Sequence, residues 1–429
     1  MSDTTLRADV APRRSSPDDL RAPAGASAAG PAANHVLRRL NRSAVLDTIR
    51  GGGTMSRLDI SRATGLSKPT VCTIVDQLIR DDAVVELPNA PATGRGRPPR
   101  LLAFNETASA FLGIEFGSTT VRVAVADGRG SLLAVRALSL AGDPRTAVAE
   151  ASAALRQLVA DAGVSSSALR AVGVAAAGLI DRSRGEVVTA SSRGWGAVPL
   201  GRMVEDELGL PASVINRVAA ATLAEGRTGA ASDTASYVWV YSGTGIGAGL
   251  VVDGVLVSGT SGFAGELGHS PVADDGRLCA CGNRGCLETV AGAAAIAAGA
   301  AAAVAAGEVT TLSAMAPPLA AADVARAAVD GDAVAAHLLA AAGAALGLGV
   351  AHLVNILNPS LVVIGGPLAT SATYLDAVCA SVARHTLAAE QVPVVRSALG
   401  GEATLRGAVQ VVLEEQAPSY RIVELTAPA

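Results

Sequence analysis

The hydrophobic pattern changes character near Phe111, and this change divides the chain into two differently built parts. Before it, apolar residues recur at helical spacing in three short segments, which lead into a stretch rich in Gly, Pro and Arg. After it, short apolar strands alternate with Ala-rich helices, a pattern typical of an α/β domain. We therefore predict a disordered tail at 1–34, a small helical module at 35–104 and an α/β part from residue 108 onward.

The second and third helices of the small module carry the signature of a helix-turn-helix. Residues 56–59 have the sequence of a capping box, and the turn at Gly65 leads to a helix that Ser67 can cap. The apolar residues of this third helix fall on one face, so the opposite face can meet DNA. A three-helix module that contacts protein is the alternative. The predicted DNA-contacting side chains are Ser67, Lys68, Thr70, Thr73 and Gln77.

A wing is predicted to follow, formed by residues 84–86 and the basic stretch 94–100. Arg95 and Arg97 stand beside glycines, which suits insertion into a narrow minor groove where the negative potential is high. Residues 1–100 carry 15 Lys and Arg against 10 Asp and Glu, whereas the whole chain carries 34 against 38. A basic segment on an acidic body is typical of a polyanion-binding module. A solvated basic linker is the alternative for the wing.

Three of the five cysteines lie close together, at positions 279, 281 and 286. With His269, ten positions earlier, Cys279, Cys281 and Cys286 form a set of one imidazole and three thiolates that suits tetrahedral zinc. No position is left for a water ligand, so a structural rather than a catalytic Zn²⁺ is predicted. Free thiols that cluster by chance are the alternative.

The location of the protein is predicted from what residues 1–34 lack. They contain no apolar core of a signal peptide, which indicates a cytoplasmic protein. Residues 290–307 are uncharged over a length that approaches a membrane span, but they are mostly Ala and Gly, and Ala is only weakly lipophilic. We therefore predict a packed helix of a soluble domain there.

Two Gly-rich turns of the α/β part are candidates for phosphate binding. The first lies in residues 113–120, and the second, 242–249, lies between predicted strands at 237–241 and 250–252. Glycine lets backbone N–H groups approach an anion closely. An ordinary tight hairpin explains each turn equally well.

Three further motifs make the chain resemble the ROK family of bacterial repressors, uncharacterised reading frames and sugar kinases. They are Glu266-Leu267-Gly268-His269, the run from Cys279 to Glu288, and the run 353–359 that leads to 363–366. The resemblance extends from about Arg38 to the C-terminus. It implies an α/β domain with two lobes of the actin-like (ribonuclease H-like) fold and a ligand cleft between them. The first lobe would span 108–232 with a returning helix at 401–418, and the second 233–400.

The resemblance also implies that the kinase reaction is lost. Family members that phosphorylate sugars carry an Asp after an Asn, and its carboxylate takes the proton from the attacking hydroxyl. Here Arg217 follows Asn216, and a guanidinium accepts no proton near neutral pH. Glu115 and Ser118 also replace an Asp and a Gly of the first phosphate loop of the kinases. Both changes affect groups that bind ATP and Mg²⁺ in the kinases. Because the second glycine loop is intact, binding of ATP and Mg²⁺ stays an open question.

Sugar hydroxyls would, by the same resemblance, be held by Asn216, Glu266, His269 and Glu288. Amide and carboxylate groups suit vicinal hydroxyls because each makes two hydrogen bonds. The zinc would then fix His269 and Glu288 at the cleft. Alternatively, Glu266 and Glu288 serve only as hydrogen-bond acceptors for the metal loop.

Together these features predict a homodimeric or homotetrameric DNA-binding regulator, expected to be a repressor of carbohydrate metabolism genes and not an enzyme. Its partners would be operator DNA and a sugar or sugar derivative, which would change lobe closure and so the spacing of the DNA-binding modules. Two alternatives stay open. One is an ATP-dependent, glucokinase-like sugar kinase with an appended DNA-binding module, and the other is a regulator with a vestigial cleft that answers to a protein partner.

Overall fold

The computed structural model describes residues 31–88, 100–117, 119–139, 142–190, 193–273, 275–387 and 392–416. Its N-terminal module contains three helices and a small sheet of order β1-β3-β2. These elements are α1 (Pro31–Gly52), β1 (Met55–Ser56), α2 (Arg57–Thr64), α3 (Lys68–Arg80), β2 (Val84–Glu86) and β3 (Leu101–Phe104). Buried Val45, Ile60, Val75 and Leu102 bring all three helices and the sheet into one core.

The first helix is longer than the sequence pattern predicts. It begins at Pro31, inside the segment predicted to be a disordered tail, and runs for 22 residues. Proline is well tolerated in the first turn of a helix, and the two alanines after it are strong helix formers. The Pro- and Ala-rich composition from Pro31 onward, which predicts disorder, is therefore also compatible with the start of a helix.

The first lobe is built on a five-stranded sheet of order β11-β7-β4-β5-β6. The elements from 110 to 228 are β4 (Ala110–Phe116), β5 (Thr120–Asp127), β6 (Leu132–Ser139), α4 (Pro144–Asp161), β7 (Leu169–Ala176), β8 (Leu179–Asp181), β9 (Glu186–Ala190), β10 (Trp195–Val198), α5 (Leu200–Leu208), β11 (Ala212–Asn216) and α6 (Arg217–Thr228). Strands β4, β7 and β11 are parallel and in register, with Phe116 opposite Ala176 and Ala176 opposite Asn216. Their carboxyl ends therefore form one edge of the lobe.

The second lobe repeats this strand order in its sheet, β14-β13-β12-β15-β16. Its elements are β12 (Tyr237–Ser242), β13 (Ile246–Val252), β14 (Val255–Leu256), α7 (Glu288–Ala291), α8 (Ala293–Ala305), α9 (Ala321–Val329), α10 (Ala333–Leu357), β15 (Leu361–Gly365), α11 (Ala372–His385) and β16 (Val394–Arg396). The predicted second turn is shorter than expected, because β13 already begins at Ile246. Only residues 243–245 connect the two strands, and the later glycines lie within β13.

The last helix, α12 (Ala403–Gln416), returns from the second lobe and packs on α6, β4 and β7 of the first. The contact is very close at Gly407, where a Cβ atom would lie 1.8 Å from the carbonyl oxygen of Ala220. Only glycine fits there without moving one of the two helices. A third apolar core, which includes Ile215, Trp239 and Val411, connects the lobes at this junction.

Two helices of the second lobe are apolar enough that their length must be compared with that of a membrane span. The uncharged segment 290–307 contains α8, whose 13 residues are too few to span a bilayer. Among the described residues, one helix, α10, is long and apolar enough to cross a membrane. Its buried side chains, including Leu339, Leu346 and Val350, lie in the core of the second lobe, as expected for the core helix of a folded domain.

The N-terminal module is attached to the first lobe by an arginine pair around Phe104. The guanidinium carbons of Arg50 and Arg129 lie 5.0 and 5.6 Å from the centroid of its ring. Arg129 donates a hydrogen bond to the carbonyl oxygen of Arg50 and pairs with Glu106 at 2.6 Å. The turn between β5 and β6 therefore contacts the end of α1 directly.

Candidate ligand cleft, metal centre and nucleic-acid interface

The helix-turn-helix of the N-terminal module has the caps that its sequence predicts. Ser56 and Asp59 form a reciprocal capping box at the start of α2, and Gly65 has φ 70° in the turn that follows. Ser67 caps α3 by accepting a hydrogen bond from the N–H group of Thr70. Both caps are confirmed. They fix where α2 and α3 begin, and one face of α3 is exposed to solvent.

The exposed face of α3 contains most of the predicted DNA-contacting side chains. Ser67, Lys68, Thr73 and Gln77 are exposed, and Thr70 is half-buried. The hydroxyls of Ser67 and Thr70 bond each other, and Thr73 bonds the carbonyl oxygen of Pro69, so these groups are partly used within the helix. Arg95 and Arg97 of the predicted wing lie outside the described residues.

An ion-pair network holds the base of the wing against α3, and sequence reasoning missed it. Arg57 pairs with Asp76 on α3 at 3.0 Å and with Glu86 on β2 at 2.9 Å. Arg100, next to β3, pairs with the second oxygen of Glu86 at 2.7 Å. These hydrogen bonds hold the pKa of Glu86 below its usual value. The four charges lie far apart in sequence, so no local pattern reveals them.

A cleft of about 410 Å³ lies between the two lobes. Its size is within the range of small-molecule sites. Among the predicted ligand residues it includes Asn216 and Glu266, whereas His269 and Glu288 are not in its lining. It is lined by Ile180, Asp181, Arg182, Ser183, Val188, Ile215, Asn216, Ala219, Ala248, Gly249, Leu256, Val257, Ser258, Gly259, Thr260, Ser261, Gly262, Phe263, Ala264 and Glu266.

Most of the polar lining was not predicted from the sequence. Residues 181–183 and 258–262 supply hydroxyl, carboxylate and guanidinium groups from two loops. Both loops are rich in Ser, Gly or Arg between strands, a signal that indicates a turn but not which surface the turn faces. The structure shows that they meet across the interlobe cleft.

The side chain of Asn216 is already largely used by the fold. Its oxygen accepts hydrogen bonds from the N–H groups of Val218 and Ala219, so it caps α6, and its nitrogen donates to the carbonyl oxygen of Gly178 at 2.9 Å. One N–H of the amide remains for a ligand. Asn216 can therefore donate one hydrogen bond to a sugar hydroxyl, but its amide cannot make the two hydrogen bonds that the resemblance implies.

Glu266 keeps a carboxylate at the cleft whose pKa is raised by burial and, to a smaller extent, by the charge of Glu288. Its Oε2 lies 3.7 Å from Nε2 of His269. The Oε2 of Glu288 accepts a hydrogen bond from the N–H of Ile246, at the turn between β12 and β13. Glu266, His269 and Glu288 are thus neighbours, with Glu266 nearest the cleft and Glu288 against the second glycine turn.

The predicted metal ligands form a compact cluster. The ligand atoms of His269, Cys279, Cys281 and Cys286 all lie within 4.8 Å of one another and could hold a metal ion. Cys279 Sγ lies 3.5 Å from His269 Nδ1, and Cys281 Sγ lies 3.6 Å from Cys286 Sγ. Zinc bonds of about 2.3 Å to sulfur and 2.0 Å to nitrogen give tetrahedral edges of roughly 3.5–3.8 Å. The donor set therefore fits a four-coordinate zinc.

Burial also acts on the thiol of Cys286, which lies in this cluster. Desolvation raises the pKa of the Cys286 thiol to about 12, so in the absence of a metal this sulfur stays protonated. A divalent ion reverses that preference because it binds the thiolate directly. The Nδ1 atom of His269 faces Cys279 and its Nε2 atom faces Glu266, so the ring connects the metal cluster to the cleft.

Two of the three first-lobe residues that the resemblance marks as departures from the kinase pattern, Glu115 and Arg217, contact each other. Arg217, the first residue of α6, donates two hydrogen bonds to Oε1 of Glu115, at 2.8 and 3.1 Å. Arg122 on β5 pairs with Oε2 of the same carboxylate. The Glu115 side chain is 3% exposed. Both of its oxygens are therefore occupied by guanidinium groups, and neither is left for a metal ion.

The glycine turns are explained by backbone packing. The N–H of Gly117 bonds the carbonyl oxygen of Thr120, which closes the first turn on itself. In β13, a Cβ atom at Gly249 would lie 1.8 Å from the hydroxyl oxygen of Thr222 on α6. The hairpin and the helix packing therefore require these glycines whether or not a phosphate binds. Ser118 lies outside the described residues.

Comparison with known proteins gives one family. The ROK family profile matches residues 111–415. The xylose repressor of Caldicellulosiruptor bescii is 29% identical over 77% of this chain and 84% of its own length. A crystal structure of a ROK family transcriptional regulator, a homologue of the E. coli Mlc protein, superposes with a TM-score of 0.79 and 27% identity over 89% of this chain and 98% of that one.

A kinase structure matches less of the chain. The ROK hexokinase of Thermus thermophilus is 30% identical with a TM-score of 0.60, and it covers 71% of this chain and 99% of its own. The regulator structure therefore extends over a further part of this chain. Both structures have the two-lobed α/β fold, but the regulator structure matches more of this chain than the kinase structure does.

Proposed function

The chain belongs to the ROK family, and we propose that it is a DNA-binding transcriptional repressor of carbohydrate metabolism genes that senses a sugar or sugar derivative. The two lobes supply the sensor, and the N-terminal module supplies the DNA-binding surface. The observation that carries the proposal is the ion pair between Glu115 and Arg217. By the resemblance to the sugar kinases, Arg217 would stand where a kinase needs a free carboxylate, and the chain also has a helix, α3, with an exposed face.

The α3 helix would enter the major groove with Lys68, Thr70, Thr73 and Gln77 facing the DNA. Lys68 and Gln77 are exposed, whereas the hydroxyls of Ser67, Thr70 and Thr73 make hydrogen bonds within the helix. Lys68 and Gln77 would therefore be the members of the set that bind phosphate or a base edge. Ser67 would contribute mainly through the cap of α3. Arg95 and Arg97 would reach the minor groove from the wing.

Loss of the kinase reaction follows from two substitutions that reinforce each other. Arg217 cannot act as the general base, which typically costs about 10²- to 10⁴-fold in rate. Glu115 cannot bind Mg²⁺ while Arg217 and Arg122 occupy both of its oxygens. A ligand in the cleft would therefore be bound and released unchanged.

The sugar would lie between the lobes against Asn216 and Glu266, with His269 and Glu288 completing the site when the lobes close. Asn216 would donate its remaining N–H, and Glu266 would accept from hydroxyl groups. Because ligands that bridge two lobes favour the closed state, the sugar would change the geometry of the attached DNA-binding modules. A coupling of about 1–3 kcal/mol is sufficient for a 5- to 150-fold change in operator affinity.

His269, Cys279, Cys281 and Cys286 would hold one structural Zn²⁺. When bound, the ion supplies folding free energy for the loop that contains Glu266 and Glu288. The chain would act in the cytoplasm as a homodimer or homotetramer, since two recognition helices are needed to read a palindromic operator.

The test is a fluorescence-anisotropy titration of the full-length protein on DNA from the region upstream of its gene, with and without a panel of sugars. We expect operator binding that one sugar weakens by about tenfold or more. Lys68→Ala should weaken binding and lower the salt slope by about one. Arg156→Ala, which removes a charge from α4 in the first lobe, is the matched control and should change neither.

Two outcomes would contradict the proposal in different ways. Firm operator binding that no sugar affects would remove the sensor function and favour a protein partner. The second outcome is release of ADP from ATP, in the presence of a hexose, at the rate of ordinary sugar kinases. If Glu266→Gln abolishes this activity, the protein is a sugar kinase with an appended DNA-binding module.

A further inference from the structure

The last turn of α12 contacts two elements that line the interlobe cleft. Arg182, which lines the cleft, pairs with Oε1 of Glu415 at 3.7 Å. Ser213 on β11 donates a hydrogen bond to Oε2 of the same carboxylate. Strand β11 ends at Asn216, which also lines the cleft. The loop that carries Arg182 and the strand that carries Asn216 therefore meet at one side chain of α12.

The same helix turn packs against the β5–β6 turn, which reaches the N-terminal module. At Gly130, where φ is 87°, a Cβ atom would lie 2.6 Å from Cδ1 of Leu413. Glycine alone fits this conformation and this close contact without strain. The neighbouring Arg129 lies over the ring of Phe104 and donates a hydrogen bond to the carbonyl oxygen of Arg50 in α1. The β5–β6 turn therefore connects α12 to α1.

The carboxyl of Glu414 is subject to charges from both the cleft and α1. It is 4% exposed, and its Oε1 accepts a hydrogen bond from Gln410 at 2.8 Å. Burial raises the pKa of Glu414, and the hydrogen bond from Gln410 lowers it. The charges of Arg227 and Arg182 lower this pKa further, whereas the charge of Asp47 in α1 raises it. A residue of the cleft lining and a residue of α1 thus act on one buried group.

The last turn of α12 offers Arg182 two acceptors. One is Glu415, which is 48% exposed and pairs with Arg182 at a distance too long for a hydrogen bond. The other is Oε2 of Glu414, which is buried and has no hydrogen-bond partner among the described residues. An exposed ion pair contributes at most about fivefold to an equilibrium constant, so a ligand can displace it. Energetic coupling between distant sites is carried by elements that have two such arrangements.

We propose that the last turn of α12 transmits occupancy of the cleft to the N-terminal module, and that Arg182 is the residue that starts this change. The inference rests on the proposed function and names the regulatory route of the same site. A sugar that binds Arg182 withdraws it from Glu415, so the last turn of α12 shifts against Gly130. The contact of Arg129 with α1 then changes, and with it the position of the recognition helix relative to the lobes.

The experiment compares Glu415→Gln with the unmodified full-length protein in operator titrations with the same panel of sugars, which includes xylose and glucose. The variant lacks the pair that the sugar breaks, so it should be partly released without sugar. We expect its operator affinity without sugar to fall about two- to fivefold, the contribution of an ion pair of this kind. Its operator affinity at saturating sugar should equal that of the unmodified protein. By linkage, its affinity for the sugar in the absence of DNA should rise by the same factor.

Two controls and a second measurement complete the design. Glu402→Gln breaks an ion pair with Arg406 at the other end of α12 and should change none of these affinities. Glu415→Asp keeps a carboxylate on a shorter side chain and should give intermediate values. Amide hydrogen exchange is measured without sugar or DNA. Residues 44–50 of α1 should exchange faster in Glu415→Gln than in the unmodified protein or in Glu402→Gln.

The outcomes separate this inference from the proposed function. If a sugar releases the operator from Glu415→Gln as fully as from the unmodified protein, and the exchange of residues 44–50 is unchanged, the inference is overturned and the proposed function stands. A fall in operator affinity without a rise in sugar affinity also overturns the inference, because it shows a merely structural role for Glu415. If no sugar of the panel changes operator binding by the unmodified protein, the sensor function fails and the inference fails with it.

Discussion

Replacing Arg217 with Asp should destabilise the protein by about 4 kcal/mol and should not create a kinase. The substitution removes two hydrogen bonds to Glu115, of 2.8 and 3.1 Å, and a charge-assisted bond contributes about 1.5–3 kcal/mol. It also adds a carboxylate beside one that is 3% exposed. At about 6 Å and an effective dielectric constant of about 20, two like charges repel by roughly 3 kcal/mol. Solvent at the 21% exposed Arg217 side chain reduces both contributions.

Two further variants separate the lost pairing from the added repulsion. Arg217→Met removes the pairing alone and should cost about 1.5–3 kcal/mol. Glu115→Gln removes the repulsion in Arg217→Asp but also the pairing of Glu115 with Arg122. A double-mutant cycle of the Asp and Met variants with and without Glu115→Gln cancels that shared loss and should give a coupling of about 2–3 kcal/mol. Stability is measured by urea unfolding followed through the fluorescence of Trp195 and Trp239, and catalysis by ADP release with hexoses. Equal stability of the Asp and Met variants, or no coupling with Glu115→Gln in the cycle, would refute the reasoning.

Three other substitutions test the metal centre, the second lobe and the contact between modules. Cys281→Ser should remove the bound zinc and expose the metal loop to protease, as seen by metal analysis and limited proteolysis, whereas Cys72→Ser should retain the metal. Asp332→Asn should lose about 2 kcal/mol at pH 7, because the amide can still cap α10 but its NH₂ group cannot accept the hydrogen bonds that Thr310 and Thr311 donate to Oδ2. Hydrogen bonds from Ala335 and then Thr310 hold the pKa of Asp332 well below its usual value. The contribution is therefore present above about pH 4 and declines as the pH falls below it, so urea midpoints of the two proteins should converge in acid; a constant difference down to pH 2 would contradict this. Arg129→Ala should leave the separate affinities for operator and for ligand intact, but it should reduce several-fold the change in operator affinity that the ligand causes. If that change is as large as in the unmodified protein, the contact does not couple the modules.

The architecture of this family and several parts of the site were predictable because their causes are local. Ser56, Asp59 and Ser67 act within one helical turn, so their sequence spacing alone identifies the helix starts. The cluster that could hold a metal ion was predictable for the same reason, since Cys279, Cys281 and Cys286 lie within one loop. The start of α1 at Pro31 was not predicted, because Ala and Pro are compatible with both a helix start and a disordered tail.

The roles of residues distant in sequence were decided only by the tertiary structure. Glu115 and Arg217 each stood out as a departure from the kinase pattern, but they are 102 positions apart and nothing in the sequence indicates that they pair. They meet because β4, β7 and β11 are parallel and end at one edge of the sheet. Asn216, the last residue of β11 at the same edge, caps α6. Sequence thus determined the residue types, whereas strand order determined which charges neutralise one another.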